Sequence, residues 1–311
     1  MTEIHETRDH ETRDHGTRDH GTRDHGTREP GGADEARAPG GAPGTGDAFA
    51  RLVLETMPEE SKLGLTLGFV RTFGVPGIAR VLHSTGRMYD EPRGRAKATG
   101  VAMFALIGQG VESAEGRRIV EVLHRIHDRP DITPELMRYV LACFTVCPLR
   151  FVDDHGHRAV TDEERAAAYA FHVGLSDALG LSGDEGRDGD TGDGTGDRSA
   201  DTTDATDGAG MAGVERWMRA FEGRHFAPSA EGAALWEATS QGLLGARLPR
   251  PLAGLAPAVA ASLLDEPLRA ALHIRRAPAP VRALVAVALR ARAAARRRRT
   301  ARTARTARTA A

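Results

Sequence analysis

At 311 residues with a formal net charge of −1, the chain is long enough for one substantial hydrophobic core or two small ones. Its two cysteines, Cys143 and Cys147, stand four apart on an expected helix; that excludes a disulfide scaffold and a closed zinc site, and both read as small buried hydrophobes. No secretory pattern opens the sequence, and no apolar run nears the roughly 20 residues that span a bilayer, so a reduced, cytoplasmic protein without a transmembrane segment is expected.

Residues 1–46 repeat Thr-Arg-Asp-His and then run through Gly, Pro and Ala. So few apolar side chains cannot offset the entropy of ordering them, and the segment is expected to be disordered. Its histidines recur with the repeat, but a repeat without a fold cannot fix coordination geometry.

From residue 47 to 292 apolar residues recur at three and four, strand-like alternation is absent, and an all-α fold is expected: one multi-helix domain with disordered N-terminal, internal and C-terminal segments. A glycine-punctuated apolar helix covers Thr99 to Ile107, and another runs from Arg118 to His127. On the second, Ile119, Val122, Leu123 and Ile126 form the expected buried stripe, with His124 and His127 on one flank. Thr133 can cap the next helix, Pro134 suits its first position and Ile132 can staple onto Met137, with the helix running through about Phe144. Thr161 and Glu164 form a capping box for a helix through Tyr169 and Leu175 that Gly180 stops.

An acidic, Gly-rich insertion, 182–210, follows. Its run Asp188 to Asp193 resembles a calcium loop but has Gly192 at the fifth position and no closing Glu, so a solvated linker is expected. Val214, Trp217, Met218 and Phe221 then mark an amphipathic helix, and two more are expected at about Ser229–Leu244 and Ala256–Ile274. A last one leads from Pro280 into a basic disordered tail, 293–311, which contains Arg296 to Arg299. No aromatic residue is interleaved there to stack on bases. No specific nucleic-acid partner is expected, and contact with anionic surfaces should be weak.

The candidate chemistry lies in Arg93-Gly94-Arg95-Ala96-Lys97-Ala98-Thr99 and in Ile126-His127. They place a cation, a hydroxyl and an imidazole on two adjacent apolar helical segments. In such a pocket imidazole can bind iron, guanidinium can pair with a propionate or polarise oxygen, and apolar walls exclude water from a porphyrin. Other readings of the same residues stand beside this one. A lone helical His is commonly structural, His124 could serve instead of His127 and Arg93 instead of Arg95, and His83 could line the distal side or act in a loop. Glu121/His124 and Glu222/His225 have the spacing that di-iron bundles use, without evident partner glutamates.

The residues resemble the mpaB oxygenases and the rubber oxygenases called latex-clearing proteins. The family's Arg-x-x-x-Thr is matched by Arg95 and Thr99, and its Ile-His by Ile126-His127. Downstream, Tyr139-Val140-Leu141, Pro148-Leu149-Arg150, Gly156 through Glu164, Phe221-Glu222 and Phe226-Ala227-Pro228-Ser229 follow in the family's order. Leu248-Pro249, Leu268-Arg269 and Pro278-Ala279-Pro280 also fit. The similarity extends from about Phe49 to Arg292, with Ala98 where many relatives carry Asp.

The resemblance implies a helical haem-b domain with His127 as the iron ligand and Arg95 and Thr99 beside the cofactor in the oxygen-binding or propionate environment. It also implies an oxidoreductase that acts with dioxygen on a hydrophobic small-molecule or polyprenoid substrate, cleaving a carbon–carbon double bond to carbonyls. A haem-binding carrier or gas sensor is the alternative, and a helical interaction module using the basic tail is a third.

Overall fold

The computed structural model describes residues 45–86, 92–182, 210–240 and 254–310. The N-terminal repeat, nearly all of the acidic insertion and Leu248-Pro249 lie outside them. The described residues contain twelve α-helices and no strand, so the protein is all-α. None of these helices is alone long and apolar enough to cross a membrane.

Helices α1 (Thr45–Arg51), α2 (Pro58–Arg71) and α3 (Pro76–Ser84) lead into α4 (Pro92–Gln109) and α5 (Ala114–His127). The long α6 (Pro134–His155) and α7 (Asp162–Ala178) follow, then α8 (Gly210–His225) and α9 (Ala230–Thr239). Short helices α10 (Ala256–Ala261) and α11 (Glu266–Ala271) precede α12 (Ala279–Ala310).

The centre of the body is α6 packed on α2. Helix α6 starts as its sequence dictates: the Thr133 hydroxyl accepts the Leu136 N–H at 3.3 Å, and Pro134 occupies the first turn. It runs beyond Phe144 to His155, through Pro148, which withholds an N–H from the Phe144 carbonyl. The helix continues because α2 comes close enough to hold it. A Cβ on Gly64 would lie 2.5 Å from Pro148 Cα, and one on Gly68 would lie 2.5 Å from the Cys143 carbonyl oxygen. These two glycines, one turn apart, let backbone meet backbone. Gly68→Ala should therefore cost about 1–3 kcal/mol through overpacking, read by urea unfolding; an unchanged midpoint would contradict the close packing.

At the C-terminal end of α2, buried Arg71 joins four elements. It donates to both oxygens of buried Glu222 on α8, Nη2 to Oε2 at 2.6 Å, and from Nη1 to Asp265 Oδ2 at 2.7 Å. Tyr139 on α6 donates its hydroxyl to Glu222 Oε1 at 3.0 Å, and the Phe226 ring lies 5.6 Å from the guanidinium carbon. Burial opposes the charge on Arg71, but the hydrogen bonds and charge of Glu222 outweigh it and hold its pKa above the ordinary value.

Glu222 is thus an ion-pair partner, and among the described residues no group of three His, Cys, Asp or Glu side chains could hold a metal ion, so the di-iron alternative finds no site there. Glu222→Ala, which leaves Arg71 buried and unpaired, should destabilise by about 3–5 kcal/mol. Arg71→Met with Glu222→Leu should recover most of that in the same denaturant titration; equal losses in both variants would show that the charges are not the cause.

The helix expected over Ala256–Ile274 is two helices. Asp265 caps the second by accepting the Leu268 N–H at 3.3 Å, Pro267 sits in its first turn, and the chain leaves it through His273 at φ 53°. The expected disordered tail also differs: α12 is helical through Ala310. Past Pro280 the helix holds no Gly or Pro and is mostly Ala and Arg, both strong helix formers. Arg292 and Arg296 reach the buried carboxylate of Glu60 at 3.4 and 3.5 Å, and Arg297 donates to the His157 carbonyl.

Candidate functional site

Helix α5 builds the site. The Ser113 hydroxyl accepts the Gly116 N–H at 2.8 Å and fixes its start, and a Cβ on Gly116 would come within 2.2 Å of the Gly110 carbonyl oxygen. Gly110 itself takes φ +84°. This tight connection, four residues long, folds α5 back on α4, so the first half of α4 accompanies the last half of α5.

Residues at three- and four-residue spacing on α5, from Glu115 through Ile119 and Leu123 to His127, line one cavity of about 790 Å³. They span about 18 Å at 1.5 Å per residue. The opposite walls come from α3 (Ile78, Leu82), α4 (Thr99, Met103), α6 (Val140, Phe144) and the end of α7 (Leu175, Leu179). The expected buried stripe on α5 is therefore only half right. Val122 and Ile126 are 45% and 46% exposed because they face this cavity instead of packing into a neighbouring helix.

His127 lines the cavity with its Nδ1 2.8 Å from the Leu123 carbonyl oxygen. A carbonyl only accepts, so Nδ1 carries the proton, and in the neutral ring the lone pair is on Nε2. Metal-binding histidines are commonly oriented by such a bond from the other ring nitrogen. Thr99 lines the same cavity. Arg95 stands on α4 one turn before Thr99, and its side chain, like that of Arg93, lies outside the described residues.

His124 belongs elsewhere. Its Nε2 meets the Ala178 carbonyl oxygen at 2.9 Å, and it faces a second, smaller depression with Glu121 and Ala178. His83 is exposed and outside the cavity lining, which takes Leu82 and Thr85 from the same segment.

The cavity fits the haem expected from the resemblance. Its volume falls within the roughly 300–1,000 Å³ of cofactor sites, its walls are mainly apolar with a few polar side chains such as Thr99 and Glu115, and its lining imidazole has the tautomer that ligates through Nε2. Arg118 and Arg129 add cations to the lining at opposite ends of the α5 stripe, a contribution the sequence reading missed.

Most of the sequence motifs build the scaffold instead of lining the cavity. Gly156 ends α6 where a Cβ would lie 2.4 Å from the Val152 carbonyl oxygen. Arg158 grips Glu164 with two bonds of 2.8 and 2.6 Å, and Thr161 and Glu164 form the reciprocal capping box of α7. Burial alone would raise the Glu164 pKa; the bonds from Arg158 and the Thr161 N–H hold it below the usual range. Ser229 caps α9 by accepting the Gly232 N–H at 3.0 Å. Tyr139, stacked on Phe221, belongs to the Arg71 cluster.

Among the described residues, a helical body that surrounds an apolar cavity with an oriented imidazole on its wall has the form of a helical binding domain. The comparisons make the class specific: residues 63–309 match the family described as ER-bound oxygenase mpaB/B'/Rubber oxygenase, catalytic domain, and the chain belongs to that family. It is similar to the ER-bound oxygenases mpaB' and mpaB of Penicillium brevicompactum, 27% identical over 218 residues and 26% over 192. Those matches cover 68% and 59% of this chain, and 48% and 46% of the relatives, so the chain spans about half the length of either relative. It is also 27% identical over 211 residues to the ER-bound oxygenase mpaB of Penicillium roqueforti, covering 65% of this chain and 66% of that protein.

His172 on α7, which no sequence motif marks, has its Nδ1 3.1 Å from the buried Thr145 hydroxyl. Burial pushes its pKa down to about 4. The unfolded chain, at about 6.5, binds a proton that the folded one refuses, so stability is full above pH 7 and falls as pH drops from about 6.5 towards 4. Between pH 7 and 5 the loss from this group should be about 2 kcal/mol. His172→Gln should flatten that slope in urea titrations, and an unaltered slope would assign the pH dependence to other groups.

Proposed function

We propose that the protein is a haem-b-dependent oxygenase that uses dioxygen to cleave a carbon–carbon double bond in a hydrophobic, isoprenoid-like substrate. Membership of an oxygenase family supports the reaction class. The observation that carries the cofactor is His127, held on the wall of an apolar cavity with Nδ1 bonded to Leu123 and its lone pair on Nε2.

His127 Nε2 would ligate the iron. When bound, haem supplies the redox chemistry that activates dioxygen. Thr99 places a hydroxyl-bearing side chain on the cavity wall, and Arg95, one turn earlier on α4, is the residue that would supply a permanent positive charge for a propionate or for oxygen. The apolar walls exclude water and hold an apolar chain by dispersion, with Leu123, Val140 and Phe144 among them. The stoichiometry closes without a reductant: the double bond and the O–O bond break, and each oxygen atom ends in one of two carbonyl groups.

Purified with haem supplied, the protein should hold one haem per chain with a Soret band, and labelled dioxygen should appear in both carbonyl products of a polyprenyl substrate. His127→Ala should lose the stoichiometric haem, whereas Thr99→Val should keep it and turn over at least tenfold more slowly. An unchanged His127→Ala spectrum would overturn the ligand, and oxygen that binds reversibly without product would point to a carrier or sensor.

A further inference from the structure

We infer that the outer face of α12 is a docking surface for an anionic phospholipid membrane. Helix α12 contains ten arginines and no acidic residue, on a chain whose overall charge is −1. Ten of the chain's 42 Lys and Arg residues therefore stand on one helix with no carboxylate among them.

The orientation of that helix is fixed by the body. Val281, Val285, Leu289, Ala293 and Arg296, at intervals of three and four, are the partly covered side, and α12 contacts α10 and α6. Glu60 takes Arg292 and Arg296, and the His157 carbonyl takes Arg297. Glu60 is 4% exposed, so this anchor is built into the fold.

The opposite side then faces outward in a single register: Leu284, Val287, Ala291, Ala295, Arg298 and Arg302, spaced three, four, four, three and four. Leu284 and Val287 are each 59% exposed, the most exposed large hydrophobic side chains of the described residues along with Val101. One face therefore presents aliphatic side chains for its first turns and exposed arginines for its later ones, with Arg299 beside them.

That order selects the partner. Phosphate groups of a nucleic acid would match the arginines but give Leu284 and Val287 nothing to bury against, and no aromatic residue is present for bases to stack on. A bilayer rich in anionic lipid satisfies both halves: the acyl-chain boundary takes the aliphatic side chains, and the headgroup phosphates and carboxylates take the guanidinium groups. Arginine suits those oxygens because its planar fork binds them in pairs.

The test is cosedimentation of the full-length protein with vesicles of phosphatidylcholine alone and of phosphatidylcholine with 30% phosphatidylserine. At low salt the protein should pellet with the anionic vesicles and not with the neutral ones, and 0.5 M salt should release it. Arg298→Gln with Arg299→Gln and Arg302→Gln should weaken binding at least tenfold. Leu284→Ser with Val287→Ser should weaken it severalfold. Both variants should keep the parent's circular dichroism and thermal midpoint, since all five side chains point away from the core.

Failure to pellet with anionic vesicles overturns the proposal. So does equal pelleting with both vesicle types. Duplex DNA bound as tightly as the vesicles, with no effect of the Leu284 and Val287 changes, reassigns the surface to nucleic acid.

Discussion

The buried pairing of Arg71 with Glu222 is the constraint on which the rest of the architecture hangs. Arg71 stands where α2 ends, and its partners come from α8, the cap of α11 and, through Tyr139, the middle of α6. A charge so deep is tolerable only if every hydrogen-bonding position is filled, and filling them demands one arrangement of those elements. The pairing sits beside the close crossing of α2 and α6, where glycines replace side chains. Together they hold the long helix α6 in place, and the face it turns towards α5 becomes a cavity wall.

The cavity then follows from what α5 lacks. An amphipathic helix ordinarily buries its stripe against a neighbour. Here the stripe runs along open space bounded by α3, α4, α6 and α7, and half-exposed aliphatic side chains at Val122 and Ile126 record that. His127 terminates the stripe, and a hydrogen bond along its own helix sets its tautomer. His124, three residues earlier, bonds instead to the Ala178 carbonyl at the end of α7 and does not face the cavity.

The parts of this legible in sequence were the local ones. Capping at Thr133 and Thr161 depends on side chains within one turn, and both caps stand as read. The all-α class followed from periodicity alone. Long-range effects were not visible: nothing near Arg71 announces Glu222, 151 residues away, and nothing near Gly64 announces Pro148. The single helix expected over Ala256–Ile274 is divided because Asp265, which accepts the Leu268 N–H, caps a new start inside it. At the site, the family motifs pointed to Thr99 and His127, which line one cavity. The contribution of α3 and α7 to its walls carried no local signal, because the lining residues there are ordinary aliphatics.

The central claim is that His127 carries the iron-binding nitrogen of this cavity. The most direct measurement removes that imidazole and returns it from solution. His127→Gly protein, mixed with haem, should lack the parent spectrum and regain it on titration with free imidazole, saturating at one equivalent bound per chain. A variant that has the parent spectrum before imidazole is added, or that never regains it although haem stays bound, would contradict the claim.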